Sequence, residues 1–159
     1  MRLTAYTDYT LRTLMYLAVQ EGRHATIAEI AATYRISETH LTKVVHQLGV
    51  AGEIATLRGR KGGIRLAMAP ERINIGAVIR RTEPDMAVVP CLGDGESCVI
   101  AGACVLQTAL REAIAAFLAV LDRYTLADLV APRQRLALLL GLPAPPDAAG
   151  HQPVPPPAA

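Results

Sequence analysis

The chain has 159 residues, of which 52% are hydrophobic and 4% aromatic, with three cysteines, no tryptophan and a net charge of +2 at pH 7. That is room for one domain, or a small domain with an appendage, around an alanine- and aliphatic-rich core. The opening MRLTAYTDYT lacks the apolar run of a secretion signal, the longest apolar run (114–121) is too short to span a bilayer, and an odd cysteine count disfavours disulfide stapling. A reducing cytoplasm is therefore expected, with no membrane partner.

Charge is unevenly placed. Residues 1–81 hold twelve Lys/Arg against six Asp/Glu, whereas residues 82–159 hold four against eight. A basic half joined to an acidic half implies that the first half meets a polyanion. Residues 4–20 read as a first helix with Leu11, Leu14, Met15, Tyr16, Leu17 and Ala18 as its apolar face, ended by Glu21-Gly22. Asp8 falls in its second turn, where an acid suits the helix dipole. Thr26-Ile27-Ala28-Glu29 is a capping box that opens a short second helix, with Ile27, Ile30 and Ala31 turned inward. After a turn at Tyr34-Arg35-Ile36, Ser37 is the expected N-cap of a third helix reaching to about Val50. Its Leu41, Val44, Val45 and Leu48 recur at helical spacing as a buried stripe, leaving Glu38, Thr39, His40, Thr42, Lys43 and His46 outward. Two short helices, a tight turn and a polar-faced second helix make a helix-turn-helix pattern.

Residues 53–57 and 64–67 alternate as two strands around the tip Arg58-Gly59-Arg60-Lys61-Gly62-Gly63. A solvated turn needs one or two charges, but Arg58, Arg60, Lys61 and Arg65 put four into eight residues. The expected role is a wing entering a DNA groove, where arginine meets enhanced negative potential. No GxxxxGK[ST] occurs, so a phosphate-binding nucleotide loop is excluded. Asn74 can cap a fourth helix over 75–82 that carries Arg80 and Arg81.

All three cysteines then fall in one stretch, CLGDGESCVIAGAC, as Cys91, Cys98 and Cys104. Three soft donors on a glycine-rich loop can wrap a metal or cluster, and reactive thiols are the other reading. A long helix follows over 105–124, with the apolar stripe Leu106, Leu110, Ala113, Ile114, Phe117, Val120 and Leu121. Ala109, Ala113, Ala116 and Ala119 keep it slim. With the winged domain already closed, the natural partner of this stripe is the same helix of a second subunit. Thr125-Leu126-Ala127-Asp128 opens a brief last helix. Beyond Leu142, Pro, Ala, Gly and His dominate, so 143–159 is expected to be disordered.

Taken together, MRLTAYTDYTLRTLMYLA, ISETHLTKVVHQL, RGRKGGIRLA, the three-cysteine loop and YTLADLV resemble the winged-helix iron–sulfur regulators, over roughly residues 1–130, and within them the nitric-oxide-sensitive repressors. The resemblance implies a homodimer built on the long helix. It also implies one iron–sulfur cluster per subunit, [4Fe–4S] or alternatively [2Fe–2S], on Cys91, Cys98 and Cys104. In the nitric-oxide-sensitive branch a fourth, non-cysteine ligand comes from the first helix of the other subunit, and Asp8 stands at that position. The cluster-assembly branch has a histidine three residues after the last cysteine, where this chain has Gln107. The first cysteine gap holds six residues, one more than the family pattern, and its glycines absorb the extra one.

The expected fold is mainly α with a small β-hairpin wing. Residues 1–82 form a winged helix-turn-helix DNA-binding domain, 83–104 a cluster-binding loop, 105–130 a dimerisation helix and short terminal helix, and 131–159 an extension. The expected function is a transcriptional repressor, not an enzyme, that binds double-stranded operator DNA and releases it when nitric oxide reaches the cluster. Ser37, Thr39, His40, Thr42 and Lys43 on the third helix and Arg58, Arg60 and Lys61 on the wing are the candidate DNA contacts. Alternatives are an iron- or redox-sensing regulator of the same family and a cluster-free, thiol-based DNA-binding module. A redox enzyme or electron carrier is disfavoured by the absence of CxxC and of a dinucleotide fingerprint.

Overall fold

The structure is a computed structural model that describes residues 2–20, 22–59, 62–93, 98–100 and 103–143. Arg60, Lys61 and the expected disordered tail from 144 onward lie outside the described residues. In chain order the elements are α1 (Ala5–Gln20), α2 (Ile27–Tyr34), α3 (Glu38–Val50), β1 (Ile54–Leu57), β2 (Gly63–Leu66), α4 (Ile75–Thr82), α5 (Val105–Leu121), α6 (Leu126–Leu129) and α7 (Arg133–Leu139).

Helix α1 is the hub, packed against α2, α3, α4, β2, α6 and α7. Its buried face differs from the expected one. Leu14, Tyr16, Leu17 and Ala18 are buried as expected, but Leu11 and Met15 only edge the core, and Thr7, Thr10 and Thr13 hold buried positions. Periodicity alone assigns threonine to the wet side. Here Thr10 and Thr13 donate their hydroxyls to the carbonyls of Tyr6 (2.8 Å) and Tyr9 (2.7 Å), which removes the desolvation penalty and leaves the methyl groups to pack. Asp8 sits in the first turn of this helix rather than the second.

The helix-turn-helix forms as its capping signals require. Thr26 and Glu29 make a reciprocal capping box at the start of α2. Arg35 ends that helix in the left-handed conformation (φ 55°), and its amide returns to the carbonyls of Ala31 and Ala32. Leu41, Val44 and Leu48 of α3 are buried and Val45 is partly buried, so the α3 stripe docks on α1 and α2.

The wing is a two-stranded antiparallel hairpin pairing Ile54 with Leu66 and Leu57 with Gly63. A third segment joins it, because Ala25 and Ile64 exchange both backbone hydrogen bonds (2.9 and 2.8 Å). This pairing requires Gly63: a β-carbon there would lie 2.7 Å from the Ala25 carbonyl oxygen and 3.1 Å from the His24 β-carbon. Gly63→Ala is expected to destabilise the fold by about 1–3 kcal/mol through forced backbone displacement, read by denaturant unfolding. Unchanged stability would show that the Ala25 segment yields freely.

The rest of the chain returns to the same core. Asn74 accepts the Ala77 amide at the start of α4 and donates to the Asp122 carbonyl at the end of α5 (2.7 Å). Arg80 grips the Asp122 carboxylate with both terminal nitrogens (2.5 and 2.6 Å), which holds that carboxyl below the usual aspartate range. Arg81 pairs with the buried Glu53 at 2.7 Å, so both arginines of α4 are engaged in holding the fold. Leu126 and Val130 complete the core from the far side. Thr125 opens α6 with the expected capping box to Asp128, but α6 is not the last helix. Helix α7 follows, with Ala137 buried and Arg133 donating to the carbonyls of Ala18 and Val19, which α1 leaves unpaired at its end.

Candidate DNA interface and cysteine loop

The outward face of α3 is polar and open. Ser37, Glu38, Thr39, His40, Thr42, Lys43 and His46 are all exposed. Ser37 occupies the N-cap position but makes no side-chain cap bond. Thr42 donates its hydroxyl to the Glu38 carbonyl (2.8 Å), which commits its proton to the helix and leaves a methyl group and acceptor lone pairs for a ligand. The His40 ring lies 6.2 Å from the Tyr9 ring, which ties this face to α1. Arg58 is exposed at the wing tip beside Gly59, whose φ of 111° turns the chain, and Arg65 is exposed on β2. A polar helix face and a basic hairpin thus project from one small core.

The Asp8 carboxylate pairs with the Arg12 guanidinium one turn on, at 2.9 Å, and its side chain remains 43% exposed. Arg12 also lies over the Tyr34 ring, 5.7 Å from its centre. Burial pushes the Tyr34 phenol up to about 12 against the opposing pull of Arg12. Arg12 therefore joins Asp8 to the helix that precedes the helix-turn-helix turn.

Between α4 and α5, Cys91 and Cys104 are partly buried and Cys98 is exposed, and all three are free thiols. Cys91 lies in a short 3₁₀ turn (Pro90–Leu92), and Cys104 is the N-cap residue of α5. Gln107, in the first turn of α5, donates its side-chain amide to the Cys91 carbonyl at 3.0 Å and so draws the two ends of the loop together. Unpaired thiols on a short loop fit an iron–sulfur cluster as a donor set, because such iron takes soft thiolate ligands. Among the described residues no three His, Cys, Asp or Glu side chains converge on one point.

Two of these links escaped the sequence reading. Gln107 was legible only as the absence of a histidine, although its place three residues after Cys104 puts it over the loop. Arg12 follows Asp8 at i+4, an ion-pair spacing that was open to view.

A helix-turn-helix with an exposed polar second helix and a basic hairpin defines a winged-helix DNA-binding regulator. The family model Rrf2, an iron-dependent transcriptional regulator, matches residues 3–132. The chain is 51% identical over 142 residues to the HTH-type transcriptional regulator NsrR of Bacillus subtilis, covering 88% of this chain and 97% of that one. It is 47% identical over 144 residues to NsrR of Halalkalibacterium halodurans, covering 89% and 99%. Among solved structures, CymR (YrzC), the global cysteine regulator of B. subtilis, matches with a TM-score of 0.64 at 31% identity over 83% of this chain and 98% of that one. IscR of T. potens matches in fold, with a TM-score of 0.67 at 24% identity over 86% and 90%. The chain belongs to the Rrf2 family of transcriptional regulators. It is a DNA-binding regulator and not an enzyme. Among the described residues no helix is long and apolar enough to cross a membrane.

Proposed function

We propose that this protein is a cytoplasmic, homodimeric repressor that senses nitric oxide through an iron–sulfur cluster, [4Fe–4S] in type, one per subunit. Cys91, Cys98 and Cys104 would hold it, with Asp8 of the partner subunit as the fourth ligand. The observation that carries the reading is the placement of three free thiols in one loop between α4 of the DNA-binding unit and the exposed helix α5. When bound, the cluster supplies thiolate-ligated iron, which takes up nitric oxide. The protein's own residues do the rest. The three thiolates gather the loop, Gln107 holds its ends together, and Asp8 brings α1 to the partner's loop. Carboxylate is a harder ligand than thiolate, so the Asp8 position is the weaker point of attachment.

The DNA contacts divide by chemistry. Thr39 and His40 face the groove, and Thr42 offers its methyl to thymine. Lys43 and Arg58, with Arg60 and Lys61 on the wing, meet phosphate or the minor groove, and Ser37 reaches the backbone at the start of α3. Lys43→Ala and Arg58→Ala are each expected to weaken binding evenly across sequences and to flatten the logarithmic salt dependence by about one. A sequence-selective loss at Lys43 would make it a base contact instead.

Anaerobic purification with ultraviolet–visible and Mössbauer spectroscopy, followed by a nitric oxide titration, tests the assignment. A coloured protein whose absorption bleaches with nitric oxide supports it. A colourless protein that still binds operator sinks it and favours thiol-based control.

A further inference from the structure

Three of the described helices begin at a threonine, and their caps are not built alike. Thr26 and Thr125 each find their acid three residues on, as Glu29 and Asp128. At the start of α1, Thr4 accepts the Thr7 amide (3.2 Å) in the usual way, but the third position is Thr7 and carries no acid. The missing carboxylate comes from 79 residues away. Glu83 accepts from both the Thr4 backbone N–H (2.8 Å) and the Thr4 hydroxyl (3.1 Å). The residue before it, Thr82, accepts from the Thr7 hydroxyl at 2.9 Å and donates its own hydroxyl to the Val78 carbonyl. Thr7, Thr82 and Glu83 are 0%, 7% and 9% exposed.

Glu83 is also the residue at which α4 stops and the cysteine-bearing segment starts. The first turn of α1, which it clamps, ends in Asp8, whose amide bonds to the Thr4 carbonyl (3.1 Å). A charged, nearly buried acceptor supplied from afar is a costly way to cap a helix when a local acid would serve.

We propose that Glu83 is a positioning residue for Asp8: by completing the α1 cap from the root of the cysteine loop, it ties the place of the Asp8 carboxylate to the state of the loop in its own chain. This rests on the reading of Asp8 as a ligand given above. Because Asp8 would serve the partner's cluster while Glu83 belongs to its own loop, the split cap links the two sensing sites of a dimer.

The test compares Glu83→Ala, Glu83→Gln and Thr4→Val with the unaltered protein. The first measurement is amide hydrogen exchange in cluster-free protein. Glu83→Ala is expected to speed exchange at Thr7 and Asp8 about tenfold, the usual effect of losing a cap, while Glu83→Gln, which keeps an acceptor oxygen, stays close to the unaltered protein. Unchanged exchange in Glu83→Ala overturns the positioning role by itself. The second measurement is the ratio of operator affinity with and without the cluster. A merely structural cap lowers both affinities together and preserves the ratio, which overturns the coupling. The proposal expects the ratio to shrink at least about tenfold in Glu83→Ala and to be restored in Glu83→Gln. Where Glu83→Ala fails to fold, Thr4→Val, which removes the hydroxyl bond to Glu83 and the Thr7 amide cap but keeps the backbone N–H bond to Glu83, must shrink the ratio in the same direction. If the unaltered protein shows no difference between the two states, the sensing reading falls and the coupling with it, while the exchange measurement still decides whether Glu83 orders the Asp8 turn.

Discussion

Cys98→Ala is expected to abolish the iron–sulfur absorption and to leave operator binding indifferent to nitric oxide. Cys98 is exposed, so truncating it removes no packing and should shift stability by less than about 0.5 kcal/mol. The loss would therefore be of sensing and not of fold. Losing one of three thiolates leaves the loop without enough donors to stay gathered, although Gln107 still joins its two ends. The variant's operator affinity should match that of the nitric-oxide-treated protein. Switching a promoter from about 99% to 1% occupancy needs roughly a 10⁴-fold change in affinity, about 5.5 kcal/mol, and a smaller gap means graded control. A Cys98→Ala protein that responds normally to nitric oxide in a gel-shift titration contradicts the cysteine loop as sensor.

The second large effect lies in α5. This helix of 17 residues has no buried residue within the described chain, and Val105 and Leu106 are 81% and 63% exposed. Its far end is fastened by Asn74 and Arg80 at Asp122, and Leu118 and Leu121 touch the core, while its near end is tied to the Cys91 carbonyl by Gln107. Such a stripe, slim at its alanines, fits a second copy of the same helix packed closely against it. Ala113 is exposed in the middle of that stripe, so Ala113→Glu costs the single chain little and obstructs close approach. Sedimentation velocity is expected to show monomers, and operator affinity is expected to fall about 10²–10⁴-fold as two linked half-sites become one. A dimer of undiminished affinity would move the interface elsewhere.

The polar outer face and the capped start of the helix-turn-helix were legible because both depend on local spacing. Thr26 and Glu29 cap α2 as read, and Leu41, Val44 and Leu48 are buried as read. The buried face of α1 was less legible, because threonine's burial depends on whether a carbonyl four residues back accepts its hydroxyl. Helix α7 was missed for a related reason. The segment after Val130 is short and follows a proline, and its docking depends on Arg133 reaching the end of α1, more than a hundred residues back. For the candidate site, cysteine spacing and basic density were plain in the residues. The Glu83–Thr4 cap and the Gln107 bond to Cys91 are long-range contacts that no local pattern encodes.

The central claim is that the state of the cysteine loop sets affinity for DNA. The most direct test is one anaerobic sample of cluster-loaded protein whose operator affinity is measured before and after stepwise nitric oxide, with the absorption followed in parallel. The account predicts that affinity falls by at least about a hundredfold as the absorption bleaches, at a salt concentration held constant. Complete bleaching with operator affinity unchanged would contradict it.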